Sequence, residues 1–165
     1  MDYIKAGKDE GAKVVLGGER HGNEGYFIQP TVFTEVNEKM KIMQEEIFGP
    51  VVAIGKFKDV EDCLQKAHDT FYGLAASVHT KNLNTAIEVS NRLQAGSVWV
   101  NCHNFLSHQL PFGGFKQSGI GRELGYDLFA KPWTNDLGNT PFPITRTSSQ
   151  STSILRLAHL SKISY

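Results

Sequence analysis

The feature that most constrains this chain is the switching of its hydrophobic period between residues 51 and 101. Val51 to Phe57 is apolar and β-branched and reads as a strand, after which Asp59 is placed to cap a helix running to about Phe71. In that helix Val60, Cys63, Leu64 and Ala67 recur at i, i+3, i+4 and i+7, the spacing of one apolar stripe. Ala75 to Thr80 reads as another strand. Asn82 or Asn84 then caps a helix to about Leu93, closed by Gly96, and Ser97 to Asn101 returns as a strand. Strands that alternate with helices pair in parallel through crossovers, so the class is α/β. Ligands in such sheets gather at the carboxyl ends of the strands, which directs attention to the segment after Val100.

The flanking text is less regular. Tyr3 to Gly11 reads as the end of a helix stopped by glycine, followed by a short apolar run, Val14-Val15-Leu16, halted at Gly17-Gly18. Tyr26 to Val36 is aromatic and β-branched and reads extended, with Pro30 keeping it from being a regular central strand. Fifteen of the 16 glycines lie at or before Gly125, and from Thr145 the chain turns rich in Ser and Thr. That places a boundary near 125: residues 1–125 form the structured part, and 126–165 a tail with little to bury and an expectation of disorder.

Composition excludes several partners. The 165 residues carry 17 basic and 17 acidic side chains with no basic run, so neither nucleic acid nor an anionic membrane surface is expected to bind. No apolar stretch approaches the roughly 20 residues of a membrane span. Two cysteines cannot build a disulfide framework, and the N-terminal residues lack a signal-peptide core, which makes the expected location cytoplasmic. The six histidines show no ligand spacing, so no metal site is expected.

Three groups of residues invite chemistry. Cys102 beside His103 resembles a nucleophile with its base, but neighbours on an extended strand point to opposite faces, which favours simple packing. Cys63 falls on an apolar helix face and reads as core. The stretch Pro111 to Gly125 is rich in glycine, yet it does not leave a strand directly as a dinucleotide fingerprint should; a tight backbone crossing leading into a helix at Arg122 is the simpler reading. Finally, Glu45-Glu46-Ile47-Phe48-Gly49-Pro50 sets two divergent carboxylates before an aromatic. One can be solvated while the other turns inward, where a carboxylate accepts hydrogen bonds from a diol and an aromatic packs a planar ring.

Taken together, Gly25-Tyr26-Phe27-Ile28-Gln29-Pro30-Thr31-Val32-Phe33, Glu45 to Val51, Tyr72-Gly73-Leu74-Ala75-Ala76, Gly96 to Asn101, and Pro111-Phe112-Gly113-Gly114 with Lys116, Ser118, Gly119 and Gly121 to Gly125 resemble consecutive signatures of the NAD(P)-dependent aldehyde dehydrogenase superfamily. The resemblance runs from Tyr3 to Gly125 and implies the C-terminal part of that family's catalytic domain. It implies that family enzymes oxidise aldehydes to carboxylates with NAD or NADP, that a cysteine nucleophile and a general-base glutamate lie upstream of Met1, and that no catalytic residue is present here. Glu46 would take the cofactor ribose hydroxyls, Phe48 would pack near the nicotinamide, and Leu106 and Phe112 would line the substrate tunnel. Leu106 departs from the aromatic often found at its position. The chain alone is therefore expected to be an inactive piece of an oxidoreductase; the alternative is a non-catalytic protein docking on full-length dehydrogenase subunits. After Gly125 the family pattern of helix and strand is lost, which suggests out-of-frame or mis-spliced sequence.

Overall fold

The computed structural model describes residues 1–125, which fall into a first unit, Met1–Asp69, and a second beginning at Thr70. The expectations of a disordered or out-of-frame tail over 126–165 lie outside the described residues.

The first unit opens with helix α1 (Asp2–Asp9), whose Ile4 and Gly7 are buried. Glycine inside a helix costs stability, and here packing explains it. A Cβ on Gly7 would meet the Phe33 ring and the Ile42 methyl at 3.0 Å. The chain leaves the helix through Gly11 in the left-handed region, φ +92°, the expected glycine stop. Strand β1 (Lys13–Leu16) pairs antiparallel with β2 (Thr31–Thr34), with a bulge between Val14 and Leu16. After the short helix α2 (Lys41–Gln44), strand β3 (Val51–Ala53) pairs parallel with β2, Val32 opposite Val52. Phe33 is fully buried and centres a core with Ile4, Ala12, Met40 and Ile42. The buried Thr31 hydroxyl donates to the Gln29 carbonyl and accepts the Gly18 N–H, each at 2.9 Å, so its polarity is satisfied.

Helix α3 (Val60–His68) closes this unit. Asp59 caps it, its Oδ1 accepting the Asp62 N–H at 2.9 Å, and Asp62 Oδ2 in turn accepts the Lys58 N–H at 2.8 Å. Cys63 and Leu64 are the buried residues of the anticipated stripe.

The second unit holds β4 (Tyr72–Gly73), β5 (Ala75–Val78), α4 (Leu83–Arg92), β6 (Ser97–Val100) and β7 (Phe115–Lys116). Strands β5 and β6 are parallel, Ala75 opposite Ser97 and Val78 opposite Val100, joined by α4 in a crossover. Asn82 is the cap, its side chain accepting the Thr85 N–H at 3.1 Å. Strands β4 and β7 pair antiparallel.

Four expectations need correction. The succession of strands from residue 51 does not make one sheet: β3 joins β1 and β2, while β5 pairs with β6. β3 and α3 end at Ala53 and His68, several residues short of Phe57 and Phe71. Gly96 does not close α4, which ends at Arg92 with Leu93 already extended. Its Cα instead passes against another backbone, since a Cβ there would lie 2.7 Å from the Gly113 carbonyl carbon and would overlap its oxygen. No helix starts at Arg122 within the described residues, because Phe112 and Glu123 exchange both backbone hydrogen bonds at 2.7 Å.

Candidate functional site

The candidate residues divide between the two units. Glu46 and Phe48 belong to the first, on the connection from α2 to β3. Met40, itself in an extended conformation, caps α2 after a turn from Asn37, and the helix lasts one turn, so Glu45 is already extended at φ −115°. The Tyr3 hydroxyl donates to Glu45 Oε2 at 3.0 Å, and the Lys41 ammonium, 3.8 Å from the same oxygen, also lies over the Tyr3 ring. Glu45 is thereby tied to α1. Glu46, its neighbour, is half-buried, and burial pushes its carboxyl above the ordinary carboxylate range. Two adjacent carboxylates thus have different environments, one anchored and exposed, the other partly desolvated. Phe48 is left-handed at φ +49° and 81% exposed. A non-glycine residue there carries on the order of 1 kcal/mol of strain, and this one holds an aromatic ring in the open.

Leu106 and Phe112 belong to the second unit, on the long connection beyond β6. That connection starts at the carboxyl end of the parallel β5–β6 pair, the place where α/β sheets take ligands. Leu106 is 52% exposed and Phe112 half-buried. Gly125 donates its N–H to the His108 carbonyl at 3.0 Å, so the connection is also held near its middle.

The glycine-rich stretch is a backbone crossing. Arg122 donates from Nη1 to the Gly114 carbonyl at 3.0 Å and the Gly121 carbonyl at 2.7 Å, with its guanidinium 5.2 Å from the centre of the Phe115 ring. The Ser118 hydroxyl accepts the Gly73 N–H at 2.9 Å. These polar groups are engaged with the loop's own backbone and with β4.

Neither cysteine is in a disulfide. Burial on α3 pushes the Cys63 thiol up to about 11, so it stays protonated at neutral pH. The His103 ring meets Trp99 edge-on, centroids 5.2 Å apart, which is a packing arrangement. Among the described residues no group of three His, Cys, Asp or Glu could hold a metal ion, and no helix is long and apolar enough to cross a membrane. Reading the sequence took Asn101 only as the end of a strand and missed its left-handed backbone, φ +56°, and its side-chain bonds to Thr80; the available signal is the residue type, since asparagine tolerates that conformation.

This alternation of strand and helix, with a glycine crossing beyond a parallel pair, is a mixed α/β arrangement. The sequence profile of the aldehyde dehydrogenase family matches residues 1–134, and the chain belongs to that family. An aldehyde dehydrogenase of Aspergillus niger is 67% identical over 125 residues, covering 76% of this chain and 25% of that protein. Rat aldehyde dehydrogenase 1A1 is 60% identical over 125 residues, with the same shares covered. Among solved structures, the NAD+ complex of a Bacillus cereus aldehyde dehydrogenase superimposes with a TM-score of 0.72 at 52% identity, covering 76% of this chain and 26% of that one. The chain spans about a quarter of the length of the curated relatives it matches.

Proposed function

We propose that this chain is a portion of an NAD(P)-dependent aldehyde dehydrogenase that supplies cofactor and substrate contacts, from the C-terminal part of the catalytic domain, and does not turn over aldehyde by itself. The observation that carries the reading is the family match over most of the chain set against the quarter of its relatives' length that it spans. By this reading the nucleophilic cysteine and the general-base glutamate lie outside these residues. Residues 1–125 are then a partial catalytic domain and 126–165 a separate tail, and the working location is cytoplasmic.

The residues present suit the cofactor. Glu46, partly desolvated, would accept hydrogen bonds from the ribose hydroxyls, and the exposed Phe48 ring would pack near the nicotinamide. NAD(P), when bound, supplies the hydride acceptor. Leu106 and Phe112 would form part of the apolar wall that admits an aldehyde and excludes water. A second reading, docking on full-length dehydrogenase subunits, draws on the apolar residues left exposed on the first unit's sheet, Leu16, Val52 and Ile54.

Purified chain should give no NADH or NADPH with a panel of aliphatic and aromatic aldehydes, followed by absorbance. Turnover that disappears in Cys102→Ala would overturn the proposal. Recovery of an intact dehydrogenase subunit with the tagged chain would favour the second reading.

A further inference from the structure

At the end of β6 the Asn101 side chain does the work of one more rung of the sheet. Its own N–H donates to the Val78 carbonyl at 2.8 Å, continuing the β5–β6 ladder. Beyond that rung the side-chain amide takes over: Oδ1 accepts the Thr80 N–H and Nδ2 donates to the Thr80 carbonyl, both at 2.9 Å. A carboxamide carries a donor and an acceptor as a peptide group does, so the pair imitates backbone pairing while the main chain, left-handed at φ +56°, turns away. Four residues beyond Thr80's partner the turn is fastened again, where the buried Trp99 indole donates to the Phe105 carbonyl at 2.8 Å and His103 packs against the same ring. Leu106 follows immediately.

We propose that Asn101 is a positioning residue: with Trp99 as the second fastening, it fixes the 102–106 segment at the carboxyl end of β5–β6 and so sets where Leu106 is presented. Conformational tolerance alone does not account for the residue, since glycine would satisfy φ +56° without strain and without either hydrogen bond. That Leu106 faces an aldehyde rests on the function proposed above; the fastening itself does not.

The test uses the full chain with Trp133→Phe, which leaves Trp99 as the single indole. Asn101→Gly keeps the backbone conformation and removes both side-chain bonds. Hydrogen exchange across 102–106 should accelerate tenfold or more, and acrylamide quenching of Trp99 should at least double, with exchange in 83–92 unchanged. Asn101→Asp, which cannot donate to the Thr80 carbonyl at neutral pH, should do the same. Unchanged exchange and quenching in both variants overturns the proposal, and so does loss of protection throughout 83–92, which would make Asn101 a general element of the fold. Neither readout involves aldehyde or cofactor, so failure here leaves the enzyme reading standing.

Discussion

Single residues decide more of this chain than its hydrophobic pattern suggests, and Gly96 is the clearest case. Replacement by alanine places a Cβ on the Gly113 carbonyl, and both partners are backbone with no rotamer to yield. Gly96→Ala should lower stability by on the order of 3 kcal/mol, measured by urea unfolding. Gly55→Ala is the control: its Cβ would meet only the Val36 methyl, at 3.8 Å, and the change should stay within about 0.5 kcal/mol. Equal losses would remove the crossing as the explanation. The sequence shows that both positions are glycine and cannot separate them, because what distinguishes them is a carbonyl 17 positions along the chain. For the same reason Phe48 was legible as an aromatic beside a carboxylate, but its left-handed strain was not.

Helix α3 shows what local rules do settle. Asp59 as cap and the Cys63–Leu64 stripe follow from residue type and spacing, and both are found. The reciprocal bond from Lys58 N–H to Asp62 adds a pH dependence. Chiefly because of that bond, with the Lys66 ammonium 3.1 Å away as a smaller contribution, the Asp62 carboxyl is held below its ordinary value. A lowered folded-state value means that the contribution is present above the unfolded-state value of about 4 and is lost as pH falls through the folded one. Amide protection in the first turn of α3 should therefore hold from neutral pH down to about 4 and decline below it. Asp62→Asn keeps an acceptor for Lys58 but cannot titrate, and should flatten that decline; an unaltered decline would assign it to other groups. Strand pairing was not legible in this way. The two-residue β4 and β7 carry no periodic signal, and the assignment of β3 and β5 to different sheets depends on contacts that no window of sequence contains.

At the scale of the whole molecule, the three-stranded sheet of the first unit has one covered face and one bare one. Phe33 points into the core, while Leu16 and Val52, aligned through Val32, stay 58% and 47% exposed on the other side with Ile54. A mixed sheet can leave one face to water, but the residues on this one are apolar, which favours covering it. The chain in isolation should consequently self-associate, and Val52→Thr with Ile54→Thr should reduce light scattering without lowering the melting temperature. Scattering unchanged by the double substitution would exonerate this face. Family membership and the α/β class were readable because several short signatures occur in order; the state of this face was not, since alternation looks the same whether or not a layer covers it.

The two units of pairing around Gly73 also differ in how far apart along the chain their partners lie. β5 meets β6 across a 22-residue separation, whereas Gly73 reaches Phe115 across 42. Loop closure costs more entropy as the loop lengthens, so the parallel pair is the cheaper closure and the β4–β7 ribbon the dearer one. Gly73 belongs to both, giving its carbonyl to the Gly96 N–H at 3.0 Å and its own N–H to Ser118 at 2.9 Å. Once the first of these bonds has fixed Gly73, the remaining search is for a ribbon whose near edge is already in place, and two residues of strand are enough to end it.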